Sequence, residues 1–508
     1  MNDISTSTVQ TVPQLLSSAS PGATALLTPN GETLTYAELG STAASLSSQL
    51  SSFGIRRGDR VAILLDNGPL MAVTFLAVIS VACAAPLNPK YRSSEIDYYL
   101  DDIGAKAIIT SSDFGNSRQR DISSSAMQLS LQGLLSDPIL VSDHQTGSWT
   151  PDEPMRPEDT ALVLHTSGTT SRPKLVPLRH SNLVYSAQNI AQTLNLEPRD
   201  RSLNVMPLFH IHGLMAGLLA PLSAGGSVVT TEGFDAFSFF SQLERFRPTF
   251  YSAVPTMHQM VLSRSKSYRD LAAESGLRFV RSSSASLPPP VYEELLNLFK
   301  VPVIEAYGMT EATHQMCCNP LPPETAKPGS VGLPTGLDLC ILAPDGSELA
   351  ENQVGEISIR GPSVIEGYED NVVANQESFT SGWFRTGDEG YVDSEGYVFL
   401  TGRLKEQINR GGEKISPLEV DSALLTHPDV DQALTFAIPH DKLGEEVAAA
   451  VVLSPGSSVS ESQIRGFVSE RLAAFKVPRR ILVLEELPKG PTGKLQRIGL
   501  ASRLGLGD

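Results

Sequence analysis

The chain has 508 residues, or about three structural units at roughly 150 residues per domain, and 39 Lys+Arg against 56 Asp+Glu leave a formal charge of −17. That acidic balance argues against nucleic acid as a general partner and against broad adsorption to anionic lipid. With 41% hydrophobic and 19% charged residues, a disordered or low-complexity chain is excluded.

The N-terminal MNDISTSTVQTVPQLL lacks a basic segment leading into an apolar core, so no signal peptide is expected. The C-terminal SRLGLGD is not the Ser-Lys-Leu peroxisomal address, and the expected location is the cytoplasm. TYAELGSTAASLSSQLSSFG is an amphipathic helical pattern. Short apolar runs then read as strands: Arg60–Leu65, Ala105–Thr110, Thr160–Thr166, Ser202–Pro207, Ser227–Thr231 and Leu277–Ser282. The charge-free stretch Leu70–Leu87 is rich in Ala, carries Thr74 and Ser80, and is broken at Pro86. It predicts a buried helix running into a short strand, with no integral membrane span. Residues 111–150 are polar and Ser-rich and read as a surface excursion. Strands alternating with helices imply α/β architecture with mostly parallel sheets. Around 385–414 the texture becomes dense in Gly and charge, with hairpin-like strands. A compact α+β unit follows: helix Pro417–Leu425, strands Val430–Ile438 and Glu446–Leu453, helix Glu461–Leu472 capped by Ser460 with Gln463, and strand Arg480–Leu484. The four cysteines contain no Cys-x-x-Cys, which points to a reduced compartment without a zinc site.

The strongest local motif is LVLHTSGTTSRPKLVPLRH, Leu162–His180. A strand runs into Thr166, Ser167, Gly168, Thr169, Thr170 and Ser171, then Arg172, Pro173 and Lys174. Small residues let backbone amides approach an anion, and hydroxyls and cations complete a phosphate cradle. It is not a Walker loop, because Pro173 precedes Lys174.

This loop resembles the signature of the adenylate-forming superfamily, which includes acyl-coenzyme A synthetases, luciferases and peptide-synthetase adenylation domains. Ser171 and Leu175 stand where that pattern usually has glycines. Further motifs follow in the family's order: PLFHIHG (Pro207–Gly213), RSSSASLPP (Arg281–Pro289), EAYGMTEATH (Glu305–His314), FRTGDEG (Phe384–Gly390), GRLKEQINRGGEKISPLEVD (Gly402–Asp421) and PKGPTGKLQR (Pro488–Arg497). The resemblance implies a large N-terminal AMP-binding domain (1–402) of α/β subdomains, a hinge (403–405) and a small mobile C-terminal α+β domain (406–508). It implies ATP, Mg²⁺ and coenzyme A as cofactors and co-substrates. It places ATP or AMP against the Thr166–Thr170 loop, Lys174, Ser284, Ala285, Glu305, Ala306, Tyr307, Thr310, Asp388, Arg403 and Lys494. Tyr307 would stack on adenine, Asp388 and Arg403 would hold the ribose, and Glu311 would bind the metal. Lys494, His210, Glu311 and Thr310 would be catalytic. Lys405 would be the pivot, and Gly411, Gly412, Lys414 and Lys476 would meet coenzyme A.

Several details resemble the oxalate–coenzyme A ligase branch: His165 and Ser171 in the loop, the second histidine of PLFHIHG, RSSSAS, and TEATH. On that reading His212, Arg281, Ser284 and His314 would hold the second carboxylate of a small dianion. A ligase for another small or medium-chain acid is the alternative. An adenylation domain serving a carrier protein and a non-catalytic nucleotide-binding relative are further readings. Monomer and homodimer both remain open.

Overall fold

A computed structural model of the chain describes residues 9–112, 122–143, 153–166, 173–489 and 495–507. Two large sheets organise most of it. In the first the strands run in the order Asp137–Val141, Met127–Leu134, Ala107–Ser111, Arg60–Leu64, Cys83–Pro86, Thr160–Thr166 and Lys174–Arg179. Its inner pairings are parallel and its two outermost are antiparallel. The second begins with Leu333–Pro334, His314–Cys318, Val303–Met309, Phe279–Ser283 and Phe250–Ala253. It continues through Arg201–Asn204, Ser227–Thr230, Thr24–Leu27 and Thr33–Thr35. Its centre is parallel too. Strands such as Arg60–Leu64 are buried on both faces, which is why they read as continuous apolar runs rather than alternations.

The local sequence accounts for the helices that cover these sheets. Thr35 and Glu38 form a capping box that starts the helix Tyr36–Ser52. The helix Pro69–Val78 is buried from Met71 through Val78 and leads into the strand Cys83–Pro86, as the charge-free stretch predicts. No helix among the described residues is long and apolar enough to cross a membrane. One apolar core lies between the two sheets, joining Val61, Ile63 and Leu162 of the first to Phe250, Phe279 and Ile304 of the second.

Two expectations need correction. The Ser-rich region 111–150 contains the hairpin Met127–Leu134 with Asp137–Val141. Leu129, Leu131 and Leu140 are buried on one face, while the other face mixes Ser130 and Gln132 with the exposed Leu134, Ile139 and Val141, so no clean alternation of apolar and polar residues marks the strands. The parallel α/β pattern also ends earlier than residue 400. Asp338–Leu342, Gly355–Arg360, Phe379–Thr380, Trp383–Val392 and Val398–Arg403 form a separate antiparallel sheet.

Beyond it, the apolar clusters change. Val398 still belongs to the large core, whereas Ile408, Ile415, Val420, Val447, Ile464 and Ile481 form another. The helix Pro417–Leu425 and the strands Val430–His440, Gly444–Leu453 and Arg480–Val483 match the predicted α+β unit. Ser460 accepts the Gln463 N–H and caps the helix Glu461–Ser469.

Candidate active site

The motif EAYGMTEATH is a parallel strand, Val303–Met309, that turns over Thr310–Ala312 and returns antiparallel as His314–Cys318. The turn is tight because residue 308 is glycine: a Cβ there would lie 1.7 Å from the His314 carbonyl oxygen. The turn brings Tyr307, Thr310, Glu311 and His314 to the carboxyl end of the sheet, the end at which open α/β sheets bind ligands.

Tyr307 is buried and donates its hydroxyl to Asp388 of the antiparallel sheet. Asp388 also pairs with Arg403, Oδ1 to Nε 2.8 Å, and the two residues are register partners in adjacent strands. Burial beside this carboxylate pushes the Tyr307 phenol well above its ordinary range, and the carboxylate likewise raises the Arg403 guanidinium. Glu311 is buried, and its Oε1 accepts from Tyr368 Oη at 2.9 Å and Thr166 Oγ1 at 3.5 Å. Burial raises the Glu311 carboxyl above the usual range, against the pull of Tyr368, Lys174 and Arg403. Lys174 Nζ lies 4.2 Å over the Tyr368 ring, and burial lowers its affinity for a proton. Leu175, which replaces a usual glycine, is buried in the strand Lys174–Arg179 and its carbonyl accepts the Glu369 N–H. The strand therefore accommodates it.

Beside this turn lies a buried polar cluster. His212 Nε2 lies 2.7 Å from Ser252 Oγ, and its Nδ1 lies 3.1 Å from Ser284 Oγ. His314 stacks on His212 with ring centroids 4.8 Å apart. Arg281 lies behind both rings, 0% exposed. It donates to Ser252 at 3.0 Å and to Gln315 Oε1 at 3.0 Å, with its Nη1 3.4 Å from His314 Nε2. Burial lowers its proton affinity, and among the described residues its electrostatic neighbour is the Cys318 thiol rather than a carboxylate. Ser284 is half-buried and holds φ at +74°, which a non-glycine residue rarely adopts. His210 is half-buried beside the cluster, its Nδ1 accepting the His212 N–H at 3.2 Å.

The remaining expected residues divide into groups. Ala285 is exposed, and Ala306 accepts the Ser283 hydroxyl through its carbonyl. Glu305 spends its carboxylate on the protein, accepting Leu287 N and Gly329 N, and burial pushes its pKa up to about 7. His165, at the end of its strand, pairs with Asp102 at 2.7 Å. Gly411, Gly412, Lys414 and Lys476 are engaged within the C-terminal unit: Gly411 with Leu443, Gly412 with Asn409, Lys414 opposite Asn409, and Lys476 with Glu419. Ser167, Gly168, Thr169, Thr170, Ser171, Arg172 and Lys494 lie outside the described residues. The exposed Lys405 lies between two anchors. Arg403 pairs with Asp388 on one side. Glu406 pairs with Arg497 at 3.0 Å on the other, and Arg497 also holds Asp421 at 3.0 Å.

Sequence reasoning missed Ser252, Gln315 and Tyr368. Tyr368 lies 57 residues from the carboxylate it holds, and Ser252 lies 40 from His212. Nothing in their local sequence marks them.

A model of the AMP-binding enzyme family matches residues 17–369. The chain belongs to that family. A model of the AMP-binding enzyme C-terminal domain matches residues 419–494. The chain is similar to the oxalate–CoA ligase of Arabidopsis thaliana, 46% identical over 91% of this chain and 92% of the relative. It is also similar to the oxalate–CoA ligase of Saccharomyces cerevisiae, 41% identical over 87% and 86%. Among solved structures, ATP-bound MatB from Rhodopseudomonas palustris superimposes with a TM-score of 0.88 at 28% identity, covering 97% of this chain and 98% of that one. The apo form of MatB covers the same shares at a TM-score of 0.77. This AMP-binding enzyme thus has the overall arrangement of the ATP-bound form more nearly than that of the apo form.

Proposed function

We propose that the protein is an ATP-dependent acid–thiol ligase that converts oxalate, ATP and coenzyme A to oxalyl-CoA, AMP and diphosphate. The observation that carries the choice of acid is the buried polar cluster of His212, His314 and Arg281, with the half-buried Ser284 at its edge. A fatty-acid tail requires apolar surroundings, whereas this cluster is polar and holds a cation that no carboxylate among the described residues neutralises. The oxalate–CoA ligases among its relatives support the same reading.

In the first step an oxalate oxygen attacks the α-phosphorus of ATP and diphosphate leaves. Thr166, the Ser167–Thr170 loop, Thr310, Lys174 and Lys494 would neutralise the charge developing on the phosphoryl oxygens. Tyr307, Ser284, Ala285, the Glu305–Ala306 backbone, Asp388 and Arg403 would hold the nucleoside. Glu311 suits Mg²⁺, which binds through one or two carboxylates together with substrate phosphates. No group of three metal-ligating side chains exists among the described residues, so phosphate oxygens would complete the shell. When bound, the ion offsets phosphate charge. In the second step the C-terminal unit (406–508) would turn on the N-terminal domain (1–402) about Lys405, within the hinge 403–405. Gly411, Gly412, Lys414 and Lys476 would then guide coenzyme A, whose thiol attacks the acyl carbon beside His210 as AMP departs. The proposed setting is cytoplasmic, as a monomer or homodimer.

A diphosphate-release screen over oxalate, malonate, acetate, hexanoate and coumarate tests this. Oxalate is expected to give the highest kcat/KM. Turnover of hexanoate with none of oxalate would replace the substrate while leaving the ligase chemistry intact.

A further inference from the structure

Ser252 and Arg281 are register partners on adjacent parallel strands, Phe250–Ala253 and Phe279–Ser283, so one sheet contact fixes them side by side. Arg281 is wholly buried. Its Nη1 donates to Ser252 Oγ at 3.0 Å and faces the Nε2 atoms of His212 at 3.5 Å and His314 at 3.4 Å. A guanidinium has five N–H donors and no acceptor. A ring nitrogen aimed at it therefore acts as the acceptor, and a proton on that nitrogen would meet another proton. Ser252 Oγ accepts the Arg281 Nη1–H and turns its own hydroxyl to His212 Nε2, 2.7 Å away. The neutral His212 ring then carries its hydrogen on Nδ1 and donates it to Ser284 Oγ at 3.1 Å. With a lone pair so engaged, the Ser284 hydroxyl is left as a donor.

Gln315 holds the far side of the guanidinium. Its Oε1 accepts from Arg281 Nη2 at 3.0 Å while its amide donates to Thr335 Oγ1 at 3.1 Å, which fixes which end of the amide faces which partner. The positive φ of Ser284, +74°, turns that residue back onto the ring.

We infer that Arg281 and Ser252 are positioning residues. Through a one-way chain of hydrogen bonds, Arg281 to Ser252 to His212 to Ser284, they fix the His212 tautomer and turn Ser284 into a hydrogen-bond donor selective for an ionised second carboxylate. The inference rests on the proposed acid site but is tested separately from it. Neither residue touches the acid. Each acts through the ring and the serine in front of it. An amide in place of the second carboxylate would set its N–H groups against these donors, and this mismatch is the source of the selectivity.

The first test is nitrogen-15 NMR of the full-length protein labelled at histidine, with the His212 signals assigned by their loss in His212→Gln. The expected result is a hydrogen on Nδ1 in the wild type and in Arg281→Lys, and a shift toward Nε2–H in Arg281→Met. A wild-type His212 with its hydrogen on Nε2 overturns the inference, and so does a folded Arg281→Met with an unchanged tautomer. The second test compares kcat/KM for oxalate and for oxamate, the monoamide of the same skeleton. Arg281→Met and Ser252→Ala are expected to shrink the oxalate preference by roughly tenfold or more, the scale of one hydrogen bond to a charged group, with KM for ATP unchanged. An equal loss on both acids overturns the inference. A wild type inactive on oxalate would sink the choice of acid, whereas the NMR result would still decide the hydrogen-bond chain.

Discussion

Replacing Tyr307 by Phe keeps the buried ring and removes one hydroxyl. In the structure that hydroxyl donates to Asp388, whose side chain is 6% exposed and whose other partner is Arg403. The substitution leaves a buried carboxylate oxygen without its donor and lets the carboxylate turn toward Arg403. A hydrogen bond to a charged group is worth about 1.5–3 kcal/mol, and an orphaned buried acceptor costs a similar amount. At about 1.36 kcal/mol per factor of ten, kcat/KM for ATP should fall roughly 10- to 150-fold. The ATP–diphosphate exchange assay measures this, with KM for the acid as the internal control and expected to stay put. A double-mutant cycle with Asp388→Ala isolates the pair and should give a coupling of about 1 kcal/mol or more. Additivity within about 0.3 kcal/mol would refute the idea that Tyr307 acts on the nucleotide through Asp388.

Glu305 offers a pH test. Burial raises its folded-state pKa from 4.5 to about 7, so the folded state binds the extra proton between those values. Its contribution is fully present below 4.5 and is lost as pH rises through about 7, a change of about 3 kcal/mol. Glu305→Gln lacks that slope, and its urea midpoint should gain on the wild type between pH 5 and pH 8. A constant gap across that range contradicts the assignment. Arg497→Gln strands Glu406 and the buried Asp421, and breaking such a buried pair costs about 3–5 kcal/mol. Proteolysis of the C-terminal unit should accelerate accordingly, while a protection pattern like the wild type's would count against the anchor. Lys494→Ala should cut adenylate formation by roughly 10²–10³ and largely spare thioester formation from pre-made acyl-adenylate. Equal loss in both half-reactions would remove Lys494 from its role.

Chemistry that depends on neighbours in the chain was legible without coordinates. The capping of Glu461–Ser469 by Ser460 and the buried run after Leu70 both rest on local propensity and short-range hydrogen bonds. The order of the motifs likewise identified the family. Strand alternation pointed to α/β architecture with mostly parallel sheets, because βαβ units write their period into the sequence.

Tertiary structure alone decided what meets what. Ser252 and Arg281 lie on strands joined through intervening helices, and only the parallel register sets them opposite each other. Tyr368 reaches Glu311, and Arg497 reaches Glu406, from elements whose own sequence carries no sign of the partner. The hairpin at 127–141 and the strands Asp338–Leu342 and Gly355–Arg360 escaped notice for a related reason: short half-buried strands are specified by the neighbour that covers one face. The residue types at this site follow from the sequence. The direction of its hydrogen bonds follows from the packing, because a buried guanidinium can only donate and its surroundings must arrange themselves to accept.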